Sequence, residues 1–151
     1  LGDVYKRQIM KKYFATLLAA VSLLTVSCSK DDDPTTGSSD AGVYRITIEV
    51  SGTDAKGFAH ITNLDKVNIR NEKTGDSSLS IDDEFTASAS YVTEGKVKEI
   101  AAQGMVHSNE KASVRMKVTK DGKTVFDESK SIDPETGTGK IGELRFTTIS
   151  Q

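Results

Sequence analysis

Few side chains in this sequence are equipped for chemistry, and their spacing narrows what they could do. There is one thiol, Cys28, and there are two imidazoles, His60 and His107. Nucleophilic catalysis needs an activated Ser, Cys or Thr beside a base, most often His. No Gly-x-Ser-x-Gly elbow is present, and both histidines fall in stretches that read as strands, where each is expected to be a partly exposed strand residue rather than a base. Two histidines without a nearby acidic partner do not make a zinc signature. Asp82, Asp83 and Glu84 are the candidates for a metal, since Ca²⁺ is held by oxygen ligands, six to eight of them. Successive side chains of a strand point to opposite faces, so these carboxylates would converge only in a loop. A solvated turn is the expectation for them, with no metal and no cofactor. Glycan recognition favours aromatic platforms, and the chain has no Trp; Tyr44 and Tyr91 both sit on apolar strand faces and are expected in the core. Gly137-Thr-Gly-Lys140 is too short for a phosphate-binding loop and opens no helix.

The thiol is placed for a different reaction. Lys11 and Lys12 precede a run from Phe14 to Val26 that is apolar except for Thr16, Ser22 and Thr25. At about 13 residues the run is shorter than the roughly 20 needed to cross a bilayer as a helix. A cationic start, a short apolar middle and small residues before a cut are the marks of a secretory signal peptide. Cys28 directly after Thr25, Val26 and Ser27 resembles the lipobox of bacterial lipoproteins, although Thr25 stands where Leu is usual. The resemblance implies cleavage before Cys28 and diacylation of its thiol. One acyl chain binds a membrane weakly, at about 0.8 kcal/mol per buried methylene, and two or three hold stably. Ser29, Lys30, Asp31, Asp32 and Asp33 then resemble the acidic surface-export signal of some Gram-negative lipoproteins. The alternative for this run is a solvated acidic spacer repelled by anionic headgroups. The expected location is therefore the outer membrane, facing the cell surface or, alternatively, the periplasm.

The rest of the chain divides accordingly. Leu1 to Ile9, opening LGDVYKRQ, reads as a non-native leader resembling translated adapter sequence, and residues 10–27 read as the signal peptide. Residues 28–42 are the acylated Cys and a linker; Pro34 to Gly42 is Pro, Gly, Ser, Thr, Asp and one Ala with no apolar period. Fourteen residues between Cys28 and Val43 span roughly 20 Å as flexible coil. Residues 43–151 are enough for one domain of ordinary size. Beyond residue 28 the chain carries 16 basic and 21 acidic side chains, the wrong balance for a nucleic-acid binder. With Cys28 acylated, no disulfide is open to the domain, and its stability must come from its core.

From Val43 the pattern has period two. Tyr44, Ile46, Ile48 and Val50 alternate with Arg45, Thr47, Glu49 and Ser51, one buried face and one wet. Phe58 to Thr62, Lys66 to Arg70, a short stretch at Leu79 and Ile81, and Phe85 to Tyr91 read as further strands. Val97 to His107 fits either a strand or, at EIAAQ, a helix; its surroundings favour a strand with small residues permitting close packing. Ala112 to Val118 and Thr124 to Ser129 flank Asp121-Gly122, the signal of a type I′ hairpin turn. Ile141 to Ile149 closes the chain. The pattern predicts an all-β fold, a single small β-sandwich of immunoglobulin-like or transthyretin-like type with about seven or eight antiparallel strands.

Tyr44-Arg-Ile-Thr-Ile-Glu-Val-Ser-Gly52, Ala59-His-Ile-Thr62, Ala101-Ala-Gln-Gly104 and Val114-x-Met-x-Val118-x-x-Asp-Gly-Lys123-x-Val125 resemble the extracytoplasmic domain of the MmpS family. The resemblance covers about residues 44–130. It implies a small β-sandwich and, from better-known members, service to a membrane lipid or small-molecule exporter; here a lipobox replaces that family's membrane helix. Two functions are thus expected: a non-enzymatic, lipid-anchored envelope module that binds an envelope protein partner, or an exporter accessory. Glycan binding at the surface is a lesser alternative.

Overall fold

The computed structural model describes residues 40–134 and 139–150. The leader, the signal peptide, Cys28 and the run Ser29 to Asp33 lie outside the described residues. Within them every regular element is a strand: β1 Tyr44–Ser51, β2 Lys56–Asn63, β3 Ile69–Asn71, β4 Ser77–Ser78, β5 Ser80–Phe85, β6 Ser88–Thr93, β7 Ile100–Ser108, β8 Ala112–Lys120, β9 Lys123–Ile132 and β10 Lys140–Thr147. They form two antiparallel sheets, one ordered β4-β3-β6-β1-β8-β9 and the other β10-β7-β2-β5.

The period-two alternation is what makes this a sandwich. On β1, Tyr44, Ile46 and Ile48 are buried to 2% exposure or less, and their register partners Tyr91, Ala89, Val118 and Met116 are buried on the same face. Cross-strand partners share a face, so one buried residue recruits the next. The facing sheet contributes Ala59, Ile61, Ile100, Ala102 and Val106. Each fully buried Ile adds about 1.5–3 kcal/mol. At Gly104 a Cβ would meet Ile48 at 3.1 Å, so the small residues of β7 let the sheets approach, as the sequence suggests. Asp121 and Gly122 have φ of 50° and 81°, the type I′ geometry expected of Asp-Gly.

Three expectations are corrected. There are ten strands among the described residues, because β4 is two exposed serines with no apolar pattern to announce it. Asp82, Asp83 and Glu84 lie inside β5, paired with His60, Ala59 and Phe58 of β2, not in a turn; backbone pairing outweighs the poor strand propensity of Asp. The Phe85 to Tyr91 alternation is not one strand. It breaks at Thr86 and Ala87, where φ of Ala87 is 69°, and the chain crosses from one sheet to the other. Phe85 and Ala89 face the interior on either side of the break, while Ala87 between them is exposed, so the alternation is interrupted where the chain changes sheets.

Candidate functional site

Where β5 ends one sheet and β3 and β4 end the other, the sandwich opens into a cleft of about 400 Å³. Its chemistry comes from register. Asp83 is the partner of buried Ala59, so its side chain turns inward between the sheets, while Asp82 and Glu84 turn outward. Asp82 meets His60 Nδ1 at 3.1 Å and Glu84 meets Lys56 Nζ at 3.3 Å, all on the solvent face.

Asn71, at the end of β3, is the register partner of Tyr91 on β6. Its amide donates to Asp83 Oδ2 at 3.2 Å, bridging the two sheets. Its side-chain oxygen accepts from the backbone N–H groups of Lys73 (2.9 Å) and Thr74 (3.3 Å). The same residue's backbone bonds Asp76 and Gly75, closing the turn at 71–76, with Gly75 at φ 81°. The turn positions the side chain; the side chain positions the carboxylate.

Tyr91 is fully buried, yet its hydroxyl has no hydrogen-bond partner among the described residues. Burial, and then the charge of nearby Asp83, hold its pKa well above the ordinary tyrosine value. Buried tyrosine hydroxyls usually find a partner. The ring of Phe85 and the methyl of Ala89 supply apolar wall. A second hollow shares Asn71, Thr74, Asp83 and Glu84 and extends toward Asp76 and Asp82.

Of the candidates Asp82, Asp83 and Glu84, the fold turns one inward between the sheets and two outward, Glu84 at the border of the cleft and Asp82 at the border of the second hollow. His60 and His107 both project from the outer face of the four-stranded sheet, four positions apart along its strands, and neither reaches the cleft. Asn71 and Tyr91 were not legible as site residues. The only available signal was that a tyrosine on a core-facing strand position must place its hydroxyl somewhere.

No protein-family profile matches the chain, and no curated protein matches it. Solved structures do. A domain of unknown function, DUF4425, from Bacteroides vulgatus ATCC 8482 superposes with a TM-score of 0.61 at 22% identity, covering 74% of this chain and 98% of that one. A DUF4425 family protein from Bacteroides ovatus ATCC 8483 gives 0.58 at 20% identity, covering 74% and 99%. A protein from Parabacteroides distasonis, described in its calcium-bound form, gives 0.53 at 23% identity, covering 78% and 99%. At these identities the likeness is one of fold: the small all-β sandwich is shared.

Proposed function

We propose that this chain is a non-enzymatic binding module, tethered to the outer membrane through an acylated Cys28 and displayed at the cell surface. The observation that carries the binding reading is the cleft: a carboxylate faces space that no side chain of the fold fills, and a hydroxyl is buried at its wall without a hydrogen-bond partner among the described residues. Polar groups left so at the open edge of a sandwich stabilise a bound partner better than they stabilise the fold. Both histidines stand on the opposite face of the sheet that carries Asp83, which favours recognition over acid–base chemistry. The tether rests on the order of cationic start, short apolar run, small residues and Cys28.

Calcium is one cation to try, since a structural neighbour is described as calcium-bound. Of Asp82, Asp83 and Glu84 only Asp83 turns inward, and Glu84 at the border is paired with Lys56, so a calcium ion there would take most of its ligands from water. Service to an exporter, as the MmpS resemblance implies, is the alternative partner reading, and co-purification with a permease would favour it.

Fractionation tests the tether. Cys28→Ala should move the protein from the membrane to the soluble fraction with the unfolding midpoint of the domain unchanged; persistence in the membrane overturns the lipid anchor. Replacing Asp31, Asp32 and Asp33 with Ala should abolish cleavage by protease added to whole cells, and continued cleavage overturns the export role of that run.

A further inference from the structure

We propose that the cleft between β3, β5 and β6 is a receptor for a primary ammonium group on an apolar stem, the chemistry of a lysine side chain or a free alkylamine. This deepens the binding reading and rests on it.

Asp83 is half-buried, and among the described residues it belongs to no ion pair. Asn71 occupies Oδ2, which leaves the other oxygen open; an ionised carboxylate accepts at about four sites. The Tyr91 hydroxyl, enclosed and unpartnered, offers a lone pair nearby. These two oxygens suit the three rotatable donors of an ammonium. Phe85, with the edge of Ala89, gives the methylene stem apolar surface, as amphipathic side chains require. Asp76 and Asp82 border the second hollow and add negative charge to the approach; Glu84 is paired with Lys56, and Lys73 is the one cation among the described residues that line the two hollows.

Other cations fit less well. A divalent metal such as Ca²⁺ needs six to eight oxygens. The Asn71 side-chain oxygen is spent on two backbone N–H groups, and Asp82 and Glu84 face away. Among the described residues no group of three acidic, histidine or cysteine side chains could hold a metal. A guanidinium pairs best in bidentate fashion with both carboxylate oxygens, and the Asn71 amide competes with it at Oδ2.

The test is a titration of the full chain carrying Cys28→Ala, followed by NMR and calorimetry. The probes are Nα-acetyl-lysine amide, n-butylammonium chloride, Nα-acetyl-norleucine amide, Nα-acetyl-arginine amide and calcium chloride. The two amines should bind and shift the Asn71 side-chain amide and the Tyr91 ring, with norleucine silent and arginine weaker. Tighter binding of the lysine amide than of butylammonium identifies a protein lysine as the source, and the reverse a free amine. Asp83→Asn, nearly isosteric, should weaken amine binding about tenfold or more, as loss of a charge-assisted hydrogen bond implies. Tyr91→Phe should weaken it severalfold, and both variants should still fold and unfold in a single cooperative transition. Equal binding by Asp83→Asn, or norleucine matching lysine, overturns the ammonium assignment. Calcium binding in the cleft without amine binding also overturns it, while leaving the module reading intact.

Discussion

At the scale of single residues the fold keeps an unpaired group that it could do without. The Tyr91 hydroxyl is buried without a partner, and an unsatisfied buried polar group costs roughly 1–3 kcal/mol. The ring itself packs in the core opposite Ile46, so removing one oxygen leaves packing unchanged. Tyr91→Phe is therefore expected to raise the free energy of unfolding by about 1 kcal/mol, measured by urea denaturation of the ligand-free protein. The same substitution is expected to weaken amine binding. Stability gained where affinity is lost separates a binding residue from one that serves only the core; a destabilised variant would mean that the hydroxyl is satisfied in solution and serves the fold. Such a residue is hard to find in sequence. Tyr91 alternates with the core positions of its strand as any structural tyrosine would, and what distinguishes it is a buried hydroxyl without a hydrogen bond among the described residues, which only the assembled sheets define.

At the scale of elements, legibility follows how local the cause is. The faces of β1, β7 and β8 and the Asp-Gly turn between β8 and β9 are set by neighbours in sequence, and the pattern shows them. The place of Asp83 is not local: it depends on β5 pairing with β2 in a register that sets Asp83 opposite buried Ala59. The segments that carry the MmpS resemblance fall on such local features, the close approach at Gly104 and the hairpin at Asp121-Gly122, so they speak for a fold. The long outer strand β9 shows another device absent from any local pattern. Glu128 and Lys130 are register partners of buried Met116 and Val114 and so face the interior side of a free edge. Inward charges on an edge strand oppose pairing with a second chain. Glu128→Val together with Lys130→Val should therefore make the protein self-associate, read as a concentration-dependent rise in mass by light scattering. A mass that stays constant for this variant would remove the protective role.

At the scale of the described domain, acidic side chains join segments distant in sequence. Asp54 accepts from the Ser108 hydroxyl, and from Asn109 N and Nδ2 at 3.1 Å each. Asp65 accepts from Lys98 N at 2.8 Å and Glu99 N at 3.0 Å, so both ends of β7 are tied by carboxylates from elsewhere. Glu72 accepts from Ser90 and Arg45, and Asp127 from Arg115. Those hydrogen bonds hold all four below their ordinary values: Ser108 and then Asn109 for Asp54, Glu99 and Lys98 for Asp65, Ser90 for Glu72 and Arg115 for Asp127. A carboxylate with a depressed folded value stabilises the fold above its unfolded value, about 4. That contribution is lost as pH falls through the folded value. The melting temperature should thus be nearly level from about pH 7 to 5 and fall progressively below about pH 4. Asp54→Asn with Asp65→Asn keeps a side-chain oxygen to accept the backbone N–H bonds but removes two of the titrations. Calorimetry should find this variant less stable than the parent at neutral pH, with a shallower decline in acid. Parallel melting curves for the two proteins across the whole pH range would show that the ties at the ends of β7 do not set the acid limit of the sandwich, and would leave that limit to Glu72 and Asp127 on its outer face.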